Sequence, residues 1–426
     1  MSDTARPANP LGAYIAVTAA YWAFMLTDGA LRMLVLLHFH TLGFSPVQLA
    51  YLFLLYEFMG VVTNLSAGWI AARFGLTSTL YAGLLLQIIA LVALAFLDPS
   101  WAIAISVGFV MVVQGLSGVA KDLAKMSSKS AVKLLAPTGE KGALFRWVAI
   151  LTGSKNAVKG LGFLLGAALL AFAGFEAAVL GMAAVLAVIL AGVALSMPPG
   201  LPTGKKGAAF SEVFSKDANV NRLSAARLFL FGARDTWFVV GIPIYFYAVL
   251  SDGTVEGNRW AFFAIGTFMA LWIIGYGAVQ AAAPKILRAA DKPLAEIVGL
   301  TRVWIGALMV IPVALTAAVL IGGAPSPELT AVLVAGLLAF GAIFAVNSAL
   351  HSYLILAFTR DDRVTMDVGF YYMSNAAGRL VGTLLSGLSY QTGGLALCLA
   401  TAAVMAALSF VCAIWLNRAG GRPATA

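Results

Sequence analysis

Cysteine, histidine and acidic side chains are all scarce in this 426-residue chain: 2 Cys, 3 His, and 18 Asp plus Glu against 27 Lys plus Arg. The two cysteines, Cys398 and Cys412, share one apolar stretch, which excludes a disulfide framework and a thiolate metal site and leaves them as small membrane-core residues. The chain contains no H-E-x-x-H, no G-x-S-x-G and no carboxylate-rich metal cluster, so neither a metal nor another cofactor is expected, nor an enzyme of those classes. Gly200-Leu-Pro-Thr-Gly204-Lys205-Lys206 lacks the spacing and the Ser/Thr of a P-loop, which argues against an ATP-driven pump. Charged residues make up 11%, where a soluble domain carries about 25%. What fills the chain is apolar: 61% of it is hydrophobic, the composition of a polytopic membrane protein.

Apolar stretches recur twelve times, at roughly 12–40, 46–72, 76–97, 101–124, 146–173, 176–197, 222–250, 259–283, 296–321, 329–358, 367–391 and 394–417. The first is too long for a signal-peptide core and no A-x-A-like site follows it, so it reads as a retained span. The longest polar connection, 198–221, carries Pro198, Pro199, Gly200, Pro202, Lys205 and Lys206. It divides the chain into a six-helix bundle at 1–197, a central loop at 198–221 and a second bundle at 222–426. Nineteen Lys and Arg fall in the loops of one side and only Arg259 on the other. The positive-inside rule therefore places both termini and the central loop in the cytoplasm. The net charge of +9 does not signal nucleic acid, because the bases sit in short loops and inside apolar helices.

The two halves resemble each other. At an offset of 220, Ser154/Ser374, Ala157/Ala377, Gly162/Gly382, Leu164/Leu384 and Leu165/Leu385 are identical, and Lys159 meets Arg379. Asp28 precedes His38-Phe39-His40 by ten residues, as Asp235 precedes Tyr245-Phe246-Tyr247, and Phe58-Met59 matches Phe268-Met269. Parallel six-span repeats resemble the layout of the major facilitator superfamily. The expected fold is an all-α membrane protein with twelve transmembrane helices in two pseudo-symmetric six-helix bundles. The segment Gly68-Trp-Ile-Ala-Ala72-Arg73-Phe-Gly75-Leu76-Thr77 partly resembles that superfamily's cytoplasmic gate motif; its Asp is replaced by Ala72, and its trailing bases by Leu76 and Thr77.

Seven cations fall deep within spans: Arg32, Lys155, Lys159, Arg227, Arg234, Arg302 and Arg379. Three acids, Asp28, Glu57 and Asp235, accompany them. An ionisable group inside a bilayer is costly and faces a pathway or a partner. One base for each acid leaves about four positive charges over, which points to an anionic ligand. Arg32, Lys155, Lys159, Arg234 and Arg379 are the candidate anion ligands. Arginine offers a planar fork for an oxyanion, and lysine a point charge. Arg32 and Asp28, four residues apart, can instead neutralise each other. Adjacent Arg234 and Asp235 point apart on a helix, so no mutual bridge is expected. The repulsion between Lys155 and Lys159 on one face calls for an anion. Asp28, Glu57 and Asp235 are candidates for proton coupling. Lys121 and Lys125 begin a four-residue repeat continued by Lys129 and Lys133, either a membrane anchor or a funnel for anions at a cytoplasmic entrance. Asn156, Asn347, Asn375, Gln114 and Tyr276 are available hydrogen-bonding groups.

A closer likeness follows from Tyr21-Trp-Ala-Phe-Met-Leu-Thr-Asp-Gly-Ala-Leu-Arg-Met-Leu-Val-Leu-Leu-His-Phe-His40, Tyr56-Glu57-Phe58, Ser117-Gly-Val-Ala-Lys-Asp-Leu-Ala-Lys-Met-Ser-Ser-Lys-Ser130 and Leu151-Thr-Gly-Ser-Lys-Asn-Ala-Val-Lys-Gly160. These segments resemble the ArsJ-type organoarsenical efflux permeases. The resemblance implies export of 1-arseno-3-phosphoglycerate from a bacterial inner membrane. The ester is made by glyceraldehyde-3-phosphate dehydrogenase, the implied functional partner, when it uses arsenate in place of phosphate. It implies a monomeric permease working by alternating access, coupled to protons, that confers arsenate resistance. The scarcity of thiols agrees, since a pentavalent oxyanion wants Arg and Lys where trivalent arsenic wants thiolates. An organic-phosphate or phosphate antiporter of the same fold suits the same residues.

Overall fold

The computed structural model describes residues 10–74, 76–135, 143–196, 215–288, 292–359 and 364–416. They form twelve helices: α1 Pro10–Thr41, α2 Pro46–Phe74, α3 Leu76–Leu94, α4 Ile103–Leu135, α5 Ala143–Phe172, α6 Phe175–Ser196, α7 Ala218–Phe238, α8 Gly241–Leu250, α9 Val255–Ile286, α10 Leu294–Gly322, α11 Pro327–Phe358 and α12 Val364–Ile414. No strand occurs among the described residues. Helices dominate because a bilayer leaves no water to satisfy backbone groups, so each span must bond internally.

Two of these elements differ from one helix per crossing. Eleven apolar segments among the described residues are long enough to cross a membrane, and the last runs 49 residues, Met366–Ile414. At 1.5 Å per residue that is about two bilayer thicknesses. The helix breaks at Gly393 (φ −144°) and Gly394 (φ 60°), and only glycine takes the second of these conformations without strain. The two limbs of α12 are the expected eleventh and twelfth spans. Conversely, α7 and α8 together make the expected seventh span, interrupted at Val239 and Val240. The interruption frees backbone groups, and α12 satisfies them. Ser386 Oγ accepts from Val240 N and Gly241 N, both at 3.2 Å. Cys398 Sγ donates to Thr236 O at 2.8 Å. Cys398 is therefore a buried packing residue and Cys412 a half-buried one; neither is in a disulfide.

The chain divides into two compact units. The first holds Met1–Leu42, Ser66–Phe210 and Phe262–Ile273; the second holds Gly43–Leu65, Ser211–Ala261 and Ile274–Ala426. Part of α9 thus belongs with the first unit, where Gly266 lies against Phe163 and Ala167 of α5. The first twenty residues of α2 belong with the second, where Gly387 on α12 packs against Ala50 and Pro46, and Val47 N donates to Gln391 Oε1 at 3.2 Å. The expected central loop, 198–221, lies outside the described residues up to Phe214.

In each unit a close helix crossing brings two backbones together. In the first, α1 meets α5 so tightly that a Cβ on Gly29 would lie 2.5 Å from the Lys159 carbonyl, and one on Gly162 would strike the Leu26 carbonyl. In the second, α7 meets α12 through Gly382, whose Cβ would lie 2.7 Å from the Gly232 carbonyl, and through Gly378 against Leu228. Small residues let backbones approach where helices lack a hydrophobic drive to associate. Gly162→Leu is expected to destabilise detergent-purified protein by about 1–3 kcal/mol through overpacking. Gly181→Ala, on α6 with open space around its Cα, is expected to be neutral or to stabilise by up to about 1 kcal/mol. Thermal unfolding of the two variants compares them directly.

Candidate functional site

The close crossings carry the deep charges. In the first unit Asp28 sits on α1 and Lys159 on α5, beside the glycines that bring the helices together. Lys159 Nζ donates to Asp28 Oδ2 at 2.6 Å, with the carboxylate 2% and the lysine 16% exposed. The nearby Trp22 Nε1 donates to Ser154 Oγ at 2.8 Å and ties the same two helices. The base that takes up Asp28 across the crossing is thus Lys159, in addition to whatever Arg32 contributes from one turn along α1. Lys159 is relieved by a carboxylate, so its spacing from Lys155 does not by itself demand a bound anion.

On α4 a buried acid escaped sequence reasoning. Asp122 is fully buried and accepts from Lys125 Nζ at 3.2 Å. Lys121 is also buried. The stripe beginning at Lys121 and Lys125 is therefore not a solvated row of like charges. The signal was present in the i,i+3 spacing of Asp122 and Lys125, but the four-residue lysine repeat masked it. Gln87 Oε1 accepts from Ser117 Oγ at 2.6 Å, and Ser127 Oγ donates to Thr79 Oγ1 at 2.7 Å, so α3 and α4 are joined by polar contacts as well.

In the second unit four charges form a chain. Arg379 on α12 donates from Nη2 to Glu57 Oε1 of α2 at 2.5 Å and from Nε to Asp235 Oδ2 of α7 at 3.3 Å. Arg234 Nε donates to Asp235 Oδ1 at 2.5 Å. The expectation that Arg234 and Asp235 would point apart is corrected. Successive residues on a helix diverge by about 100° at their Cα atoms, but the long arginine stem folds back to its neighbour. Its guanidinium carbon then lies 4.8 Å from the Phe231 ring, 5.5 Å from Phe344 and 5.8 Å from Phe238. A weakly hydrated planar cation is stabilised against such faces. All three acids assigned to proton coupling are thus engaged with bases, and three of the five proposed anion ligands, Lys159, Arg234 and Arg379, hold those acids.

The pairing repeats between units. Asp28 with Lys159 and Asp235 with Arg379 occupy the positions that match in the sequence, each base three residues before its crossing glycine, Gly162 or Gly382. Two other basic residues cap a helix end. Arg302 donates to the carbonyls of Ala413, Ile414 and Leu416, and Arg222 to that of Trp415. These are the orphan carbonyls at the end of α12, where a cation also complements the helix dipole. Arg227 is nearly fully buried and is bonded to Asn375 and Ser348. Tyr276 Oη contacts Ser348 Oγ at 3.2 Å. Arg32 and Lys155 are half-buried on α1 and α5. Of the gate motif, Gly68 and Arg73 fall in α2 with side chains outside the described residues, and Gly75 lies outside them altogether. Lys129 and Lys133 are likewise placed on α4 without described side chains. Among the described residues no group of three metal ligands occurs.

Removing one partner of a buried ion pair leaves an uncompensated charge, at a cost of about 3–5 kcal/mol. Lys159→Met is expected to lose stability on that scale. Adding Asp28→Asn to it is expected to recover most of the loss, because both charges are then gone. Thermal unfolding of the two single variants and the double variant measures the coupling.

No protein-family model matches the chain, and no curated protein matches it. Among solved structures it is similar to the nucleoside transporter NupG, crystallised as a point mutant, with 16% identity over 95% of this chain and 98% of that one and a TM-score of 0.68. It is also similar to a POT family transporter crystallised with a thioalcohol-conjugated peptide, with 14% identity over 94% and 95% of the two chains and a TM-score of 0.71. Likeness at this identity establishes the fold over essentially the whole length: this is an all-α membrane protein with the fold of these two transporters.

Proposed function

We propose that the chain is a secondary transporter that exports an organic oxyanion by alternating access. The observation that carries this reading is the charge imbalance of the helices that hold the deep polar groups. Helices α1, α4 and α5 carry eight Lys and Arg against two acids, Asp28 and Asp122. In the second unit the buried acids are Asp235, Glu57 and Asp367, and Arg227 has only neutral hydrogen-bond partners among the described residues. An anion that arrives in the membrane interior supplies the charge these helices lack. Arg32, Lys155 and Lys159 in the first unit and Arg234 and Arg379 in the second are its proposed ligands. The side chains of Lys159, Arg234 and Arg379 keep 10–17% of their surface accessible. Lys121 and Lys125 are proposed to raise the local anion concentration at a cytoplasmic entrance, and Gly68, Arg73 and Gly75 to form the cytoplasmic gate. The halves 1–197 and 222–426, joined by 198–221, are proposed as the repeats of this machine. The equivalent ion pairs Asp28–Lys159 and Asp235–Arg379 support that division.

The substrate proposed from the sequence resemblance is 1-arseno-3-phosphoglycerate, supplied by glyceraldehyde-3-phosphate dehydrogenase. Its export from a bacterial inner membrane would confer arsenate resistance. The nucleoside transporter and the peptide-bound transporter share the fold, and their ligands are not assigned to this chain. An inside-negative potential already favours the exit of an anion, by about 2.3 kcal/mol per charge per 100 mV. Proton coupling through Asp28, Glu57 or Asp235 acts through the ion pairs. A proton on Asp28 neutralises it and frees Lys159 for the anion, so at such a pair proton and anion bind together. Release of both restores the pair.

Everted membrane vesicles containing the chain test the reading. Arsenic uptake is expected with arsenate, glyceraldehyde 3-phosphate, NAD and the dehydrogenase together, and not with arsenate alone. Arg234→Ala and Arg379→Ala are each expected to reduce that uptake by at least about tenfold, the loss of a charge-assisted contact. Normal uptake by both variants contradicts the assignment of the anion ligands. Absence of arsenic uptake by folded, inserted protein, with exchange of phosphorylated metabolites in its place, selects the organic-phosphate antiporter. Uptake that ignores a collapsed proton gradient removes the coupling role of the carboxylates.

A further inference from the structure

Among the buried arginines of the second unit, Arg234 and Arg379 share Asp235 and Glu57, whereas Arg227 has no carboxylate partner among the described residues. It lies on α7 with 4% of its surface exposed. Its Nε donates to Asn375 Oδ1 at 3.1 Å, and its Nη1 to the Ser348 carbonyl at 3.3 Å and Ser348 Oγ at 3.0 Å. All three acceptors are neutral. Nη2, with two N–H groups, makes no hydrogen bond among the described residues. The guanidinium carbon sits 4.1 Å from the Phe231 ring and 5.0 Å from the Tyr371 ring. Contrast Arg302, whose donors are spent on the carbonyls at the end of α12 and whose burial that capping explains.

A second, independent observation lies on α11. His351 is completely buried, and neither ring nitrogen has a hydrogen-bond partner among the described residues. It follows Ser348 by three residues, so the two share a face of the helix, and Arg227 lies within electrostatic reach of its ring. An imidazole always carries at least one N–H to donate. Ser348 Oγ is the hub of the surroundings, contacted by Arg227, by Gln280 Nε2 at 3.1 Å and by Tyr276 Oη at 3.2 Å. The region thus holds a fixed cation with two spare donors and an unused buried imidazole. A tetrahedral oxyanion would accept from both. It would also supply the negative charge that Arg227 alone among these arginines lacks. Arg227 and Arg234 approach the same Phe231 ring, at 4.1 Å and 4.8 Å.

We propose that Arg227 and His351 form a second oxyanion-binding station in the second unit, distinct from the Arg234–Arg379 cluster and specific for a phosphate- or arsenate-type group. Asn375 and Ser348 fix the guanidinium, and Tyr276 and Gln280 orient Ser348. Arg227 lies seven residues, about 10 Å, toward the start of α7 from Arg234. On the proposed orientation that is the cytoplasmic side, so an anion meets this station before the deeper cluster. The inference rests on the reading of the chain as an anion transporter.

Equilibrium binding of radiolabelled inorganic phosphate to the purified full-length protein, with arsenate as competitor, tests it. Arg227→Gln is expected to weaken binding at least tenfold, and His351→Gln about threefold to tenfold. Arg227→Lys keeps the charge but not the fork, and should fall between wild type and Arg227→Gln. In the absence of anion, Arg227→Gln is expected to unfold at no lower temperature than wild type, since it removes an unbalanced charge. Unchanged phosphate affinity in Arg227→Gln with a lowered unfolding temperature makes Arg227 a structural residue and overturns the station. If Arg227→Gln does not fold, unchanged affinity in both Arg227→Lys and His351→Gln overturns it equally. Loss of binding in Arg234→Gln alone also overturns the station, while leaving the anion-transport reading intact. If the wild type binds neither phosphate nor arsenate, the station is wrong, and arsenoester uptake by vesicles decides separately whether the transport reading survives.

Discussion

A carboxylate facing a base across a glycine-lined helix crossing is the interaction on which the rest of the structure depends. An apolar helix pair gains little by associating in lipid, because the tails are as apolar as the side chains. Two features make the crossing specific here. Glycines at 29 and 162, and at 232 and 382, allow backbone contact. The contact then sets Asp28 against Lys159 and Asp235 against Arg379. Each feature requires the other. Without the glycines the charges would be held apart and unpaid for in a low dielectric; without the charges the close approach would have no fixed register.

The pairing accounts for Asp28, Glu57 and Asp235 but not for all of the cations. In the first unit the bases of α1, α4 and α5 outnumber the acids, and in the second Arg227 stands outside the chain that links Glu57, Arg379, Asp235 and Arg234. Proteins of this fold handle many chemistries, so the fold leaves the substrate open. In the proposed function, the surplus of positive charge narrows it to anions. In the proposed mechanism the same pairs give a physical form to coupling: an anion and a carboxylate compete for one base, and a proton decides between them.

Much of this was legible in the sequence, and the limits have physical causes. Span lengths follow from the bilayer, so the crossings were found, including the break that α12 makes at Gly393 and Gly394. The match between the halves is visible in the sequence because Lys159 and Arg379 keep the same distance from Gly162 and Gly382. The partners were not. Helical rise gives the depth of a residue, but which acid meets which base depends on the direction each helix presents. Asp28 therefore reads from the sequence as a partner for Arg32, four residues along the same helix, and the structure adds Lys159 from another. Arg234 and Asp235 were misread because Cα directions ignore the reach of an arginine stem. Asp122 was hidden inside a lysine repeat. His351 had no local pattern to mark it, since its significance lies in Arg227, which approaches from α7.

The central claim is that the buried cations are completed by an anion. Its most direct test is thermal unfolding of purified wild-type protein titrated, at constant ionic strength, with 3-phosphoglycerate, inorganic phosphate, chloride and a neutral nucleoside. A ligand that binds only the folded state stabilises it by about 2.7 kcal/mol at a hundred times its Kd. The account predicts a saturable rise in unfolding temperature with 3-phosphoglycerate and phosphate, and none with chloride or the nucleoside. A rise with the nucleoside, and no response to either phosphate, would contradict it.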